Sequence, residues 1–369
     1  MRRLTRIVLV ALLFVAWTGA LRADNLDEFV SGVLSARHVP AASLAVVMNG
    51  RVVRTGAYGI ADLEHNIAAA PDTVYKIGSV SKQFIAAGIM VLVQDRKLAL
   101  ADKVSTFIPD APASWGGITI RHLLTHTSGL PREAPGFEPY AIKPDIDVIR
   151  TAFAAPLDFK TGAEHRYSNL GYYTLAEIVT RASGRPWSGF LQERIFTPLG
   201  MTDTRATSVA DIIARRARGY VWSDRLTNAD DWPVVRPSGA FLSTVLDLAK
   251  WEIALQTDQI LTPASKQEMW TRVKLNDGSE YPYGFGWELD DFPPGRFTTG
   301  VPMIRHEGSI PGFRAAYGRL PKQSLAVIVL SNLQGAALDS VVAGVAVHYA
   351  PEVLPAARHR WEPQALGLK

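Results

Sequence analysis

The chain has no cysteine in its 369 residues. That absence excludes disulfides, thiolate nucleophiles and zinc–sulfur sites. It also leaves no acceptor for a lipid anchor behind an export signal. Long apolar runs are scarce. Residues 7–20 carry no charge but are too few to cross a bilayer comfortably. Basic stripes interleaved with aromatics are missing, which argues against nucleic acid as a partner. Gly-x-Ser-x-Gly, His-Glu-x-x-His, a glycine-rich phosphate loop and a dinucleotide fingerprint are all missing as well. No cofactor and no metal are therefore expected. Low-complexity tracts and internal repeats do not occur.

Among what is present, residues 1–23 read as a secretory signal peptide. Arg2, Arg3 and Arg6 make a basic start, an uncharged stretch follows, and Ala20 and Ala23 offer small residues for cleavage. The reading places the mature chain in the periplasm or outside the cell, with no stable membrane span after cleavage. With Arg22, the segment's arginines account for the whole formal net charge of +4, so the mature chain is close to neutral. Hydrophobic residues make up 47% of the sequence, enough for a packed core without disulfides.

Strand signals lie at the two ends and helix signals in the middle. Asp24 or Asn25 can cap a helix over 26–37. Residues 42–48 and 51–58 flank Asn49-Gly50, a hairpin signal. Helices are expected over 120–127, 174–183, 187–196 and 242–255, and another starting at Thr262-Pro263. Strands return at 314–320 and 325–331, and a last helix covers 338–349. Residues 131–144, 222–237 and 290–302 resist assignment and read as loops, either pocket walls or plain surface excursions. The economical solution is α+β: one antiparallel sheet built from both chain ends, flanking helices and a mostly helical subdomain. Residues 24–369 then form one domain, with 24–70 and 280–350 in the sheet part and 71–279 in the helical part.

The middle of that arrangement is Lys76–Asp95. Residues 84–93 are almost wholly apolar, so this helix has no wet face and belongs inside. Ser79 and Lys82 stand at its leading end, three apart and on one face. Burial and the positive end of the helix dipole both favour a neutral lysine able to take a proton from Ser79. Free N–H groups at the helix start can receive an oxyanion. The plain alternative is a capping serine beside a lysine that snorkels to water.

Other polar residues gain meaning from that pair. Tyr167-Ser168-Asn169 precedes a helix. Tyr167 beside Lys82 can relay a proton, and Asn169 can fix a lysine or a substrate amide. A buried tyrosine with a bonded tip is the structural alternative. His306-Glu307-Gly308-Ser309 offers a side chain and an exposed N–H at a strand edge. The Ser309 N–H is the candidate partner of the Ser79 N–H in an oxyanion hole. His122 and His126 are spaced like metal ligands but lack a third ligand nearby, and they read as packing and capping residues.

Ser79-Val80-Ser81-Lys82, Tyr167-Ser168-Asn169 and His306-Glu307-Gly308, in that order, resemble the motifs of the serine β-lactamase and penicillin-binding-protein family. The branch resembled holds class C β-lactamases, D,D-carboxypeptidases and esterases. Residues 123–130 and 239–244 fit it too, and the resemblance runs over about 26–350. It implies a β-lactamase/transpeptidase-like fold and a serine hydrolase acting on a small ester, amide or peptide. Ser79, Lys82 and Tyr167 would be catalytic. Asn169, His306, Gly308 and Ser309 would bind substrate or its oxyanion. Many members carry Lys-Thr-Gly where this chain has His306-Glu307-Gly308. The exchange replaces a fixed charge by a group mostly neutral at pH 7, so efficient β-lactam hydrolysis is not expected. Arg314 is a candidate to restore that charge. A D,D-carboxypeptidase or D-amino-acid peptidase, and a non-catalytic binding protein on the same fold, are the competing readings.

Overall fold

A computed structural model describes residues 25–206, 210–233, 237–239, 241–293 and 300–354. The expected signal segment, residues 1–23, lies outside them. Seven strands form one antiparallel sheet: β1 (Ala41–Met48), β2 (Arg51–Asp62), β3 (Ile67–Ala68), β4 (Glu288–Phe292), β5 (Val301–Ile310), β6 (Phe313–Leu320) and β7 (Leu325–Ser331). Their order across the sheet is β4-β5-β6-β7-β1-β2-β3. The two ends of the chain therefore meet in its centre, where Ala42 faces Ser331 and Met48 faces Leu325. The β1–β2 hairpin turns at Asn49 and Gly50, both left-handed at φ 51° and 71°, the pairing that a two-residue turn favours.

Covered on both faces, β1 and β7 are buried along nearly their whole length. Successive side chains point to opposite sides, so the strands feed two cores. Leu44, Val46, Val327 and Val329 pack on one face with Phe29 and Val30 of α1 (residues 25–36) and Val341 and Val345 of a late helix. Ala45, Val47, Ile328 and Leu330 point into the larger core on the other face. That core holds α2 (Lys82–Gln94), whose residues 82–92 are all buried. It also takes buried residues of α3 (Asn169–Ser183) and α4 (Val245–Leu255). The late helix is α5 (Asp339–Tyr349). Among the described residues no helix is long and apolar enough to cross a membrane.

Some expectations change. The helix expected over 120–127 ends at Leu124, and residues 226–228 of the expected 222–237 loop form a short strand. The helix predicted over 242–255 begins only at Val245, because Phe241–Ser243 is a short strand. Thr244 caps it, accepting the Asp247 N–H at 3.0 Å, so the apolar pattern had run on across a cap. The helix expected from Thr174 begins at Asn169, where the Ser168 hydroxyl accepts the Gly171 N–H at 3.0 Å. Residues 290–292, expected as loop, belong to β4, which pairs with 301–305 of β5. Its Asp290 and Asp291 sit half-buried at the sheet edge, where acidic side chains are tolerated.

Candidate active site

Ser79 lies in a single 3-10 turn, Gly78–Ser81, that runs directly into α2. The turn presses against β5. A Cβ on Gly308 would stand 1.9 Å from the Ile77 carbonyl oxygen. Gly78 is left-handed at φ +52°, and a Cβ there would stand 2.5 Å from the Ser309 nitrogen. Only glycine permits this approach from both sides. The result is one cavity of about 350 Å³ lined by Ser79, Ser309, Arg132, Glu133, Asn169 and Trp232, among others.

Lys82 is fully buried at the floor. Its Nζ donates to Ser79 Oγ at 3.2 Å, Asn169 Oδ1 at 2.8 Å and the Ser238 carbonyl at 2.6 Å. It also lies 4.7 Å from the centre of the Tyr167 ring. The snorkelling alternative is thereby set aside, since the amine ends against Ser79 rather than water. Asn169 turns its other face to Glu133, donating from Nδ2 to the carboxylate. Burial raises the Tyr167 pKa above that of a free phenol, and the Ser79 hydroxyl and the Arg132 charge oppose that rise. No hydrogen bond of ordinary geometry reaches the buried Tyr167 oxygen or Ser238 Oγ among the described residues.

His306 is buried in β5 and does not face the cavity as a free donor. The Ser168 N–H donates to His126 Nδ1 at 3.1 Å, so the proton of His126 sits on Nε2. That N–H is 3.2 Å from the Tyr283 oxygen, and Tyr283 O–H in turn is 3.0 Å from His306 Nε2. His306 Nδ1–H is left to donate to the Glu307 carbonyl at 2.6 Å. Both histidines are held neutral: burial pushes their pKa values well below the ordinary range, and Lys82 nearby adds to it. The chain of bonds joins the backbone of Tyr167-Ser168-Asn169 to the strand carrying Gly308. Sequence reasoning assigned His126 to packing and had no signal for Tyr283, an isolated tyrosine in an irregular segment.

Of the expected site residues, Ser79, Asn169 and Ser309 line the cavity, Lys82 and Tyr167 adjoin Ser79, Gly308 forms the contact behind it, and His306 stands in the second layer. Arg314 is a correction. Its guanidinium is bound to the Glu307 carboxylate across the β5–β6 pair, half-buried and away from the cavity. The cations and anions that do line the cavity, Arg132 and Glu133, come from the 131–144 segment. The aromatic 222–237 segment divides. Trp232 lines the cavity, while Trp222 stacks on His38 at 3.7 Å. His122 acts as a cap, completing a reciprocal pair of bonds with Thr119.

Fold and site together define a hydrolase of the serine β-lactamase and penicillin-binding-protein class. The profile of the beta-lactamase family matches residues 26–350, and the chain belongs to that family. Among curated relatives, penicillin-binding protein 4* of Bacillus subtilis (strain 168) is 30% identical over 321 residues, 81% of this chain and 69% of that protein. Protein flp of Staphylococcus aureus (strain MW2) is 27% identical, over 86% of this chain and 65% of its own length. The chain thus spans about two thirds of these curated relatives. Among solved structures, the octameric penicillin-binding protein homologue from Pyrococcus abyssi superposes with a TM-score of 0.77 at 26% identity, over 88% of this chain and 76% of that one. The D-amino acid amidase from Ochrobactrum anthropi SV3 gives 0.74 at 27% identity, over 89% of this chain and 98% of that one.

Proposed function

We propose that the protein is an exported serine hydrolase that forms an acyl-enzyme at Ser79 and cleaves an ester or amide. The observation that carries the reading is the buried Lys82 amine, 3.2 Å from Ser79 Oγ and bonded on its other sides to Asn169 and Ser238. Ser79 Oγ attacks the substrate carbonyl carbon, its proton passes to Lys82, and the carbonyl pair moves onto oxygen between the Ser79 and Ser309 N–H groups. Collapse of that intermediate breaks the bond to the leaving group, which takes the Tyr167 proton, and Lys82 reprotonates Tyr167. Water then attacks the acyl-enzyme, releases the acid and restores the Ser79 hydroxyl. The raised Tyr167 pKa suits a proton donor rather than a resting base.

A second reading, hydrolysis of D-amino-acid amides or of peptides related to peptidoglycan, is favoured by the likeness to the amidase over 98% of that chain. β-Lactams are disfavoured, because His306 is neutral and both its ring nitrogens are engaged within the protein. The test is turnover of p-nitrophenyl butyrate, D-phenylalanine amide, a D-alanyl-D-alanine peptide and nitrocefin, with fluorophosphonate labelling, beside Ser79→Ala. Ester turnover and labelling that both vanish in Ser79→Ala are expected, with little nitrocefin cleavage. Folded wild-type protein that takes no label and turns over none of the four would overturn the catalytic reading.

A further inference from the structure

We propose that Asp231, gripped by the buried Lys76, is a positioning residue: it fixes Trp232 as an apolar wall of the cavity, and that wall packs against a flat apolar group of the substrate. This role rests on acyl transfer at Ser79 and concerns the part of the substrate that does not react. Lys76 closes the short strand Tyr75–Lys76, just ahead of the turn that carries Ser79, and is only 7% exposed. A buried ammonium needs acceptors for its protons. Among the described residues Lys76 Nζ has two, the Asp231 carboxylate and the Trp232 carbonyl, the latter at 3.3 Å. Arg216 reaches the other carboxylate oxygen of Asp231 at 3.4 Å. The Asp231 side chain is more than half exposed, and two exposed partners would hold each other weakly. Here one partner is buried, and releasing the aspartate would strand its charge.

The tether fastens the Trp232 backbone to the strand that leads into the nucleophile turn. That strand is itself fixed: Lys76 pairs with Leu242, and the Ile77 N–H donates to the Phe241 carbonyl at 3.0 Å. The Trp232 side chain lines the cavity with Ser79. Ile310 and Pro311 are the other apolar side chains there, and most of the remaining lining is polar. The indole also meets the Phe137 ring, centre to centre at 6.1 Å, and Phe137 meets Tyr173 of α3 at 6.4 Å. Phe137 and Trp232 come from 131–144 and 222–237, two of the segments whose sequence resists assignment. Held through its backbone by Lys76 and through its ring by Phe137, the indole offers the cavity a fixed aromatic surface, which favours a flat apolar partner.

The test uses two ester pairs, with each kcat/KM divided by the ester's hydroxide rate constant. p-Nitrophenyl phenylacetate and p-nitrophenyl acetate place a ring, or none, in the acyl half. Benzyl butyrate and methyl butyrate do the same in the leaving half. Wild type should prefer the ring-bearing ester in at least one pair, which identifies the half that meets Trp232. In Trp232→Ala that preference should fall about tenfold, mainly through KM. Asp231→Ala should lose most of the same preference while the ringless ester stays within about twofold of wild type, a split that general loosening of the fold would not give. Adding Asp231→Ala to Trp232→Ala should move the preference no further, because the aspartate acts through the indole. Lys76→Met, which puts an apolar chain in place of the buried amine, releases the same contact and should match Asp231→Ala, so it decides the matter if the latter does not fold. A wild type without ring preference in either pair, or a preference that survives in folded Asp231→Ala or Lys76→Met while Ser79 still takes a fluorophosphonate, would overturn the inference and leave acyl transfer standing. No ester turned over and no label at Ser79 would remove both.

Discussion

Lys82 as an ammonium has three protons, and Ser79 Oγ, Asn169 Oδ1 and the Ser238 carbonyl are three acceptors for them. Asn169 and the Ser238 carbonyl cannot give a proton back through those oxygens, but Ser79 can. Among these three contacts, loss of one proton from Nζ is felt at Ser79: that bond reverses, and the hydroxyl donates to the amine lone pair. Lys82→Met removes that exchange while keeping much of the apolar stem. It should lower the acylation rate by about 10²–10⁴, the usual span for a lost general base. Lys82→Arg should be similarly slow, because a guanidinium holds its protons throughout the working range. Stopped-flow ester acylation with circular dichroism as a folding control measures both, and a near wild-type rate in either variant would refute the exchange. Ser79 and Lys82 were legible because three residues on a helix make one face, which is local geometry. Ser238, Arg132 and Tyr283 were not, since each reaches the site across long sequence distance from an irregular segment with no motif of its own.

At the scale of elements, the site is the line where the 3-10 turn meets β5. Gly308 was read from its motif as part of the binding edge. The structure gives the physical requirement, since Gly308 leaves 1.9 Å between a would-be Cβ and the Ile77 carbonyl. Gly308→Ala must push β5 from the turn, carrying the Ser309 N–H away from Ser79. Overpacking of this kind costs about 1–3 kcal/mol of stability. Ester turnover should fall further than the stability loss explains, because an oxyanion donor works only within a few tenths of an ångström of its place. Urea unfolding and single-turnover kinetics on the same variant separate the two effects, and turnover at the wild-type level would show that the approach has no part in catalysis. Elements whose signals are local, such as the Asn49-Gly50 hairpin and the apolar α2, were readable in advance. The strand Glu288–Phe292 was not: its pairing with β5 is a tertiary fact, and Asp290 and Asp291 carry loop propensity. The helix over 245–255 was overrun at its start for the same reason, because short strand Phe241–Ser243 is as apolar as the helix after it.

For the whole molecule, the polar chain His126–Tyr283–His306 lies where the helical part meets the sheet, so its protonation bears on how the two halves hold together. His126 and His306 are buried neutral, with pKa values pushed well below 6.5 first by burial. His165, whose ring centre is 5.3 Å from that of Tyr283, is lowered by burial to about 4. In each case the unfolded chain accepts a proton near pH 6.5 that the folded chain refuses. Stability is then full above about 6.5 and falls as the pH drops below it. Asp145 works in the opposite sense. Burial raises its pKa to about 6, so the folded state gains on the unfolded one as the pH falls through 6 towards 3.8. Burial lowers His122 and raises Glu288 as well, so four histidines stand against two carboxyls and outweigh them over this range. The urea midpoint should therefore decline from pH 7 to 5.5, shallowly at first and more steeply as the histidines of the unfolded chain fill, with proton uptake by the buried carboxyls of the folded chain holding the slope down. His165→Gln should make the decline shallower, while Asp145→Asn should make it steeper below pH 6. A midpoint that held level or rose between pH 7 and 6 would mean that these histidines already carry their protons in the folded state, and the tautomers assigned to His126 and His306 would have to be abandoned with it.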